Sequence, residues 1–167
     1  MNALIIAIAC VVLFGVALRN RPFAIAVVIF LLPSYTLRTT IAGIPTTLLE
    51  CAILTVVAAW TWSAIMHGEW RTHQHTLRTS GNLRFVLLSG ALFITIGIVS
   101  MLVSPDKHAG LGLLKATIIE PVLFAGVILF TLRTEAQKRA VLWALLFSGA
   151  LIGLASIAQY CTGVGIP

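Results

Sequence analysis

The chain has 167 residues, of which 59% are hydrophobic and only 10% are charged, and its mean hydropathy is +1.05. A soluble domain is about 45–50% apolar and about 25% charged, so this composition excludes an ordinary soluble globular protein and predicts an integral membrane protein. The net charge of +6 does not indicate nucleic-acid binding, because no basic face with interleaved aromatic residues carries it.

The first part of the chain contains two short apolar runs. Residues 3–18 and 22–37 carry no charge, and Arg19 and Arg21 separate them. A spanning helix needs about 20 apolar residues, so these runs are short for two crossings. They predict either a tight helical hairpin or one crossing with a partly re-entrant segment. A cleaved signal peptide would need a basic region before the first run, which Met1 and Asn2 do not provide, so we expect a retained helix.

The rest of the sequence predicts four longer spans. They cover residues 44–66, 85–103, 116–132 and 140–160. Pro45 suits the first turn of the span that begins at residue 44, since the N–H that proline lacks would be unpaired there. Gly149 and Gly153 form a small-xxx-small motif that predicts close helix packing. We therefore expect an all-α, multi-pass transmembrane bundle of about six spans, forming a single domain over residues 1–167.

Basic residues are distributed unevenly between alternate loops. Eight of the eleven Lys and Arg residues fall in the loops 19–21, 67–84 and 133–139, and the other three are Arg38, Lys107 and Lys115. Cytoplasmic loops of membrane proteins carry an excess of Lys and Arg. The three basic loops are therefore predicted to be cytoplasmic.

Four charged residues lie within or beside the predicted spans near the opposite face. Glu50 and Glu120 each lie about one turn into a span, and Arg38 and Lys115 border the same face. Charges at such positions are costly, so each needs a reason. One hypothesis is a site that holds an anionic lipid-linked substrate, with the bases on its phosphate. The other is structural: the glutamates bond to neighbouring helices or pair with the two bases. Both remain open at this point.

Other polar residues give weaker indications of chemistry. His67, His73 and His75 fall in the 67–84 loop, and a solvated loop explains them better than a metal site. His108, near Asp106, is a weak candidate for a general base. The sequence contains no nucleophile elbow, P-loop or dinucleotide fingerprint. We therefore predict no metal and no cofactor.

Several short segments together resemble one family of bacterial membrane proteins. They are 32–38 (LPSYTLR), 43–50 (GIPTTLLE), 112–115 (GLLK) followed by Glu120-Pro121, and 162–167 (TGVGIP). These segments resemble the N-terminal part of the O-antigen ligase and O-antigen polymerase-like family. The resemblance extends over most of the chain.

The resemblance implies a specific activity and location. Proteins of this family lie in the inner membrane and transfer a glycan from an undecaprenyl-pyrophosphate carrier to an acceptor at the periplasmic face. They need no nucleotide sugar and no obligatory metal at this step. On this interpretation Arg38, Glu50, Lys115 and Glu120 bind the carrier or brace its site. The family's catalytic histidine and arginines lie in a large periplasmic loop that no position here matches. We therefore expect an N-terminal fragment that has no catalytic residue and is inactive alone.

Two other hypotheses follow from the same residues. The chain is alternatively a small six-helix transporter or channel, whose glutamates belong to a proton or cation path. It is also compatible with a non-catalytic scaffold subunit of a membrane complex. The sequence does not specify the glycan, the acceptor or the oligomeric state.

Overall fold

The computed structural model gives an all-α protein that contains one short β-hairpin. It describes residues 3–36, 38–41, 44–68 and 81–163. The helices in these ranges are α1 (Ala3–Arg19), α2 (Arg21–Phe30), α3 (Leu48–Met66), α4 (Gly81–Val103), α5 (Lys107–Leu114), α6 (Glu120–Thr131) and α7 (Glu135–Thr162). A 3₁₀ turn (Leu32–Thr36) follows α2, and two strands, β1 (Arg38–Ile41) and β2 (Ile44–Thr47), precede α3. A π-helical turn (Lys115–Ile119) joins α5 to α6.

Four helical segments in the described ranges are long and apolar enough to cross a membrane. They are Leu48–Met66, Gly81–Val103, Ala109–Thr131 and Glu135–Thr162. The second of the two short N-terminal runs does not form one helix over residues 22–37. Helix α2 has 10 residues, and the 3₁₀ turn that contains Pro33 follows it. Pro33 has no N–H to donate to the carbonyl of Ile29, so the α-helical pattern ends before it.

The predicted start of the third span at residue 44 is wrong, because residues 44–47 form strand β2. This strand pairs antiparallel with β1, so that Arg38 lies opposite Thr47 and Ile41 lies opposite Ile44. A residue before proline favours extended backbone, and β-branched residues favour strands, which explains why residues 44–47 leave the helix. The side chain of Thr47 then caps α3 by accepting the N–H of Glu50 at 3.2 Å.

Three other helices begin earlier than their apolar segments indicate. Helix α4 begins at Gly81 instead of residue 85, so residues 81–84 of the predicted 67–84 loop are helical. Helix α5 begins at Lys107, where Asp106 accepts the N–H of Ala109 at 3.0 Å, rather than at the predicted residue 116. Helix α7 begins at Glu135 instead of residue 140, because Thr134 and Gln137 form a capping box. Most of the predicted 67–84 loop, residues 69–80, lies outside the described residues, and so does the tail at 164–167.

Helix α3 lies at the centre of the bundle. Its buried residues, among them Ala52, Val56 and Ala59, form a hydrophobic core with residues of α1, α2 and α6. Small side chains at such positions allow the helices to approach closely. Helix α7 packs against α2, and its partly buried Val141 and Ala144 lie at the edge of this core. Helix α4 lies outside the core, against α5 and the π-helical turn, and its buried residue is Gly97. The predicted packing at Gly149 and Gly153 is not seen, since no described neighbour lies within 4 Å of a Cβ built at either position.

The contacts along α3 define the directions of its neighbours. Near its start, Glu50 contacts Lys115, and near its end Trp60 stacks on Phe130 with ring centroids 5.8 Å apart. Helices α3 and α6 therefore run parallel. Arg21, at the start of α2, donates to Ser63 near the end of α3, so α2 runs antiparallel to α3. We call the two ends of the bundle the Glu50 end and the Arg21 end.

Candidate functional site

Three of the four charged residues nominated from the sequence meet at the Glu50 end. The Nζ of Lys115 lies 3.1 Å from Oε2 of Glu50 and 3.5 Å from Oε1 of Glu120. We call these three residues the lysine–glutamate cluster. The backbone of Arg38 lies opposite Thr47 in the hairpin, at the same end, but the side chain of Arg38 lies outside the described part of the chain.

The start of α3 positions Glu50. Thr47 holds the first turn in place through its bond to the Glu50 N–H, and a carboxylate in the first turn interacts favourably with the helix dipole. The Glu50 side chain is 13% exposed, so it is largely removed from water. The ammonium of Lys115 supplies the opposite charge that such a carboxylate requires.

The π-helical turn brings Lys115 and Glu120 onto one face. The N–H of Glu120 bonds to the carbonyl of Lys115, which is the i→i+5 pattern of a π-helix. In a regular α-helix, residues five apart would be rotated by about 140° from each other. Pro121 follows directly and has no N–H to donate to the carbonyl of Thr117, so the regular hydrogen-bond pattern is interrupted at this point.

Helix α4 supports the π-helical turn from outside. A Cβ at Gly97 would lie 2.6 Å from Cδ1 of Ile118 and 2.7 Å from Cδ1 of Leu114. Glycine therefore leaves the space that these two side chains occupy. The close approach holds the turn, and with it Lys115, against the rest of the bundle.

The charges in the cluster do not balance. Two carboxylates surround one ammonium, so the described groups carry one excess negative charge when all three are ionised. The Glu120 side chain is only 2% exposed, and its Oε1 accepts no hydrogen bond from a described group. Buried charges are costly unless they are paired and hydrogen-bonded. The cluster therefore favours one further positively charged or hydrogen-bond-donating group.

A cavity of about 290 Å³ lies beside the cluster. Its polar edge is formed by Tyr35, Thr47, Glu50 and Glu120, and its walls are apolar side chains of α2, α3 and α6, among them Val28, Ile53, Phe124 and Ile128. Along α6 the cavity extends from residue 120 to residue 128, about 12 Å of helix. Its volume is at the small end of the range of ligand pockets, about 300–1,000 Å³. An apolar body with a charged edge fits part of an amphiphilic molecule.

Sequence reasoning missed three residues that shape this site. Thr47 was placed in the first turn of the span predicted from residue 44, although a threonine three residues before a glutamate is typical of the residue that caps a helix. Tyr35 was part of the segment 32–38 but was not singled out, since it lies in a 3₁₀ turn within an apolar run. Pro121 was noted only as the residue that follows Glu120, because the alignment of residues 115 and 120 is not readable from hydropathy.

Comparison with protein families, with curated proteins and with solved structures finds no match for this chain. The chemistry of the site is therefore given by its own atoms. They form a carboxylate pair around one ammonium, placed where an apolar cavity meets one end of the bundle. This arrangement is suited to binding and orienting a ligand.

Proposed function

We propose that this chain is the N-terminal membrane half of a cell-envelope glycan ligase or polymerase. Such an enzyme transfers a glycan from an undecaprenyl-pyrophosphate carrier to an acceptor at the periplasmic face, and this half is inactive alone. The family resemblance of residues 32–38, 43–50 and 112–115 supports the proposal. The observation that carries it is the meeting of Glu50, Lys115 and Glu120 at the edge of an amphiphilic cavity.

The cavity suits the part of a polyprenyl carrier closest to its head group. The apolar walls from α2, α3 and α6 accommodate the first units of the chain, and the rest of the chain lies in lipid. The polar edge faces the head group. A mostly apolar pocket with a few placed polar groups is the usual design of a site that binds such a molecule.

The four nominated residues divide into two roles under this proposal. Lys115 is already neutralised by two carboxylates, so it braces α3 against α6 and does not hold phosphate. Arg38 is then the base that meets the pyrophosphate, from a strand paired with the residue that caps α3. Arginine suits this role because its planar guanidinium binds phosphate oxygens in a bidentate manner.

The proposal includes six crossings of the bacterial inner membrane. Helix α1 has 17 apolar-rich residues, and α2 with its 3₁₀ turn returns the chain to the Glu50 end. The parallel α3 and α6, with antiparallel α2, agree with alternate crossings. The basic loops 19–21, 67–84 and 133–139 are then cytoplasmic, and the lysine–glutamate cluster is periplasmic.

The test is substitution of Arg38 in the full-length enzyme. Arg38→Ala should reduce glycan transfer at least tenfold in membranes, because a charge-assisted phosphate contact is lost. Arg139→Ala, an exposed arginine at the start of α7, is the matched control and should leave transfer unchanged. Equal transfer by wild type and Arg38→Ala, at equal expression, would remove Arg38 from the site. Product formation by the 167 residues alone would overthrow the assignment of an inactive half.

One observation favours the transporter hypothesis as a second candidate. Glu120 is almost fully buried within a span and its Oε1 lacks a hydrogen bond from the described groups, as expected for a carboxyl on an ion path. Proteoliposomes that contain the chain would then conduct a proton or cation flux that Glu120→Gln abolishes. Absence of flux in wild-type proteoliposomes removes this candidate and leaves the glycan-transfer proposal intact.

A further inference from the structure

The Arg21 end of the bundle concentrates positive charge. Six basic residues of the described ranges lie there, at the ends or starts of successive helices; they are Arg19, Arg21, Arg84, Arg133, Lys138 and Arg139. The described acidic residue at this end is Glu135, whose Oε1 lies 2.7 Å from Nζ of Lys138. At the Glu50 end, in contrast, acidic residues balance the described basic ones. The charge asymmetry gives the Arg21 end an electrostatic attraction for anions.

An apolar groove opens beside this basic end. Its volume is about 390 Å³, and it is lined by Trp60, Thr61, Ala64 and Ile65, on the last turns of α3. Trp60 is held by its stacking on Phe130 of α6. Arg133 follows Phe130 by three residues and is exposed, so it lies at the same end of the bundle as the groove.

The neighbouring helices bring further cations around the same end of α3. Helix α1 packs along α3 with Phe14 near Ala58, which places Arg19 level with the last turns of α3. Helix α4 runs antiparallel to α6, as the contacts of Gly97 with Leu114 and of Gly90 with Val122 require, so Arg84 lies toward the same end. Several helices thus place basic residues at the end of the bundle where the groove lies, and Arg133 is the one that follows a residue in contact with its lining.

We infer that an anionic phospholipid binds at the Arg21 end, with one acyl chain in the groove and its phosphate beside Arg133. The groove supplies apolar walls of the kind an acyl chain fills, and the exposed arginines supply charge complementarity to the phosphate. A basic pocket between transmembrane helices is a recognised setting for acidic lipid head groups. This inference concerns a different surface from the lysine–glutamate cluster and does not depend on the glycan-transfer proposal.

The experiment compares lipid binding in nanodiscs made from equal amounts of phosphatidylcholine and phosphatidylglycerol. Phosphatidylglycerol that remains bound to the 167-residue chain is counted by native mass spectrometry after release from the disc. Wild type should retain phosphatidylglycerol in preference to phosphatidylcholine. Arg133→Gln should weaken this retention about fivefold, since each basic residue near an anionic lipid contributes about 1 kcal/mol. Higher salt should weaken it further.

Two controls separate this site from general charge effects. Lys107→Gln removes an exposed positive charge at the Glu50 end and should leave retention unchanged. Thr61→Trp fills the groove without changing charge and should reduce retention, whereas Leu142→Trp on the exposed face of α7 should not. Equal retention of the two lipids by wild type, or equal losses in Arg133→Gln and Lys107→Gln, would overturn the inference.

Discussion

At the scale of single residues, Lys115 holds the lysine–glutamate cluster together. It joins a carboxylate on α3 to a carboxylate on α6, two groups far apart in the sequence. Without it, Glu120 would be a buried charge with no described partner, and Glu50 would face it with the same sign. Removing one partner of a buried ion pair costs several kcal/mol, whereas exposed pairs contribute between about 0 and 1 kcal/mol.

Lys115→Met should therefore lower the free energy of unfolding by about 2 kcal/mol, a value reduced from that of a fully buried pair because Lys115 is 39% exposed. Adding Glu120→Gln to Lys115→Met should restore a large part of the loss, since it removes one of the two stranded charges. The measurement is reversible unfolding in mixed micelles of increasing dodecyl sulfate content. Lys138→Met, which breaks the exposed pair with Glu135, is the control and should change stability by less than about 0.5 kcal/mol. Additive effects of Lys115→Met and Glu120→Gln would show that the two residues are not coupled.

The sequence was sufficient to nominate these residues but not to pair them. A charge in an apolar segment needs a partner, so Glu50, Glu120 and Lys115 stand out from one sequence alone. The choice of Lys115 as the shared partner depends on the π-helical turn, in which residues five apart align. Periodicity of 3.6 residues places them on different faces, so the geometry of the cluster was not predictable from spacing.

At the scale of elements, the sequence predicts the positions of the helices well, but it predicts where they begin and end less well. Apolar stretches located the helical segments, because burial or lipid exposure of an apolar run requires a hydrogen-bonded backbone. The starts of α5 and α7 were missed because their first turns are polar and capped. The hairpin was missed because Ile44 continues the apolar run of α3, although Pro45 and two threonines favour extended backbone.

The caps of α3 and α7 give a matched pair of substitutions. Thr47→Ala and Thr134→Ala each remove a threonine that accepts a backbone N–H, at 3.2 and 3.3 Å, and each should cost about 1 kcal/mol of stability. Only Thr47→Ala loosens the turn that carries Glu50. Under the proposed function, only this variant should therefore weaken binding of a carrier-linked glycan in nanodiscs. Equal effects of the two variants on binding would mean that the capping of α3 does not position the site.

At the scale of the whole molecule, the long spans differ in how far they are buried, and the basic residues lie toward one end of the bundle. Helix α3 is the most buried of the four long spans, whereas few residues of α4 and α7 are fully buried. The charge pattern predicted that residues 19–21 and the end of the third span share a face, and the contact between Arg21 and Ser63 agrees with this. Which helix becomes central was not predictable, because packing depends on small residues spread over several helices.

Helix α7 allows a direct test of orientation. It has 28 residues, about 42 Å, which is long enough to cross a hydrocarbon layer about 30 Å thick, so the proposed topology places its two ends on opposite sides of the membrane. With Cys10 and Cys51 replaced by serine, the exposed Cys161 should react with a membrane-impermeant maleimide in intact spheroplasts. Glu135→Cys, in a chain whose native cysteines are all serine, should react only after the membrane is broken. The reverse pattern would invert the proposed orientation.

The bond between Lys115 and Glu50 also has a consequence for how the protein is made. The two residues are 65 positions apart, so at a synthesis rate of about 5–20 residues per second Glu50 leaves the ribosome about 3 to 13 seconds before its partner. During that interval α4 is synthesised, yet α3 finally packs against α6, which is made later still. Glu50 lies in the first turn of α3, which the proposed topology places close to the membrane surface, where a carboxylate can stay hydrated before Lys115 is made. Membrane insertion of α3 can therefore precede its final packing, and the ion pair is one of the later contacts to form during biogenesis.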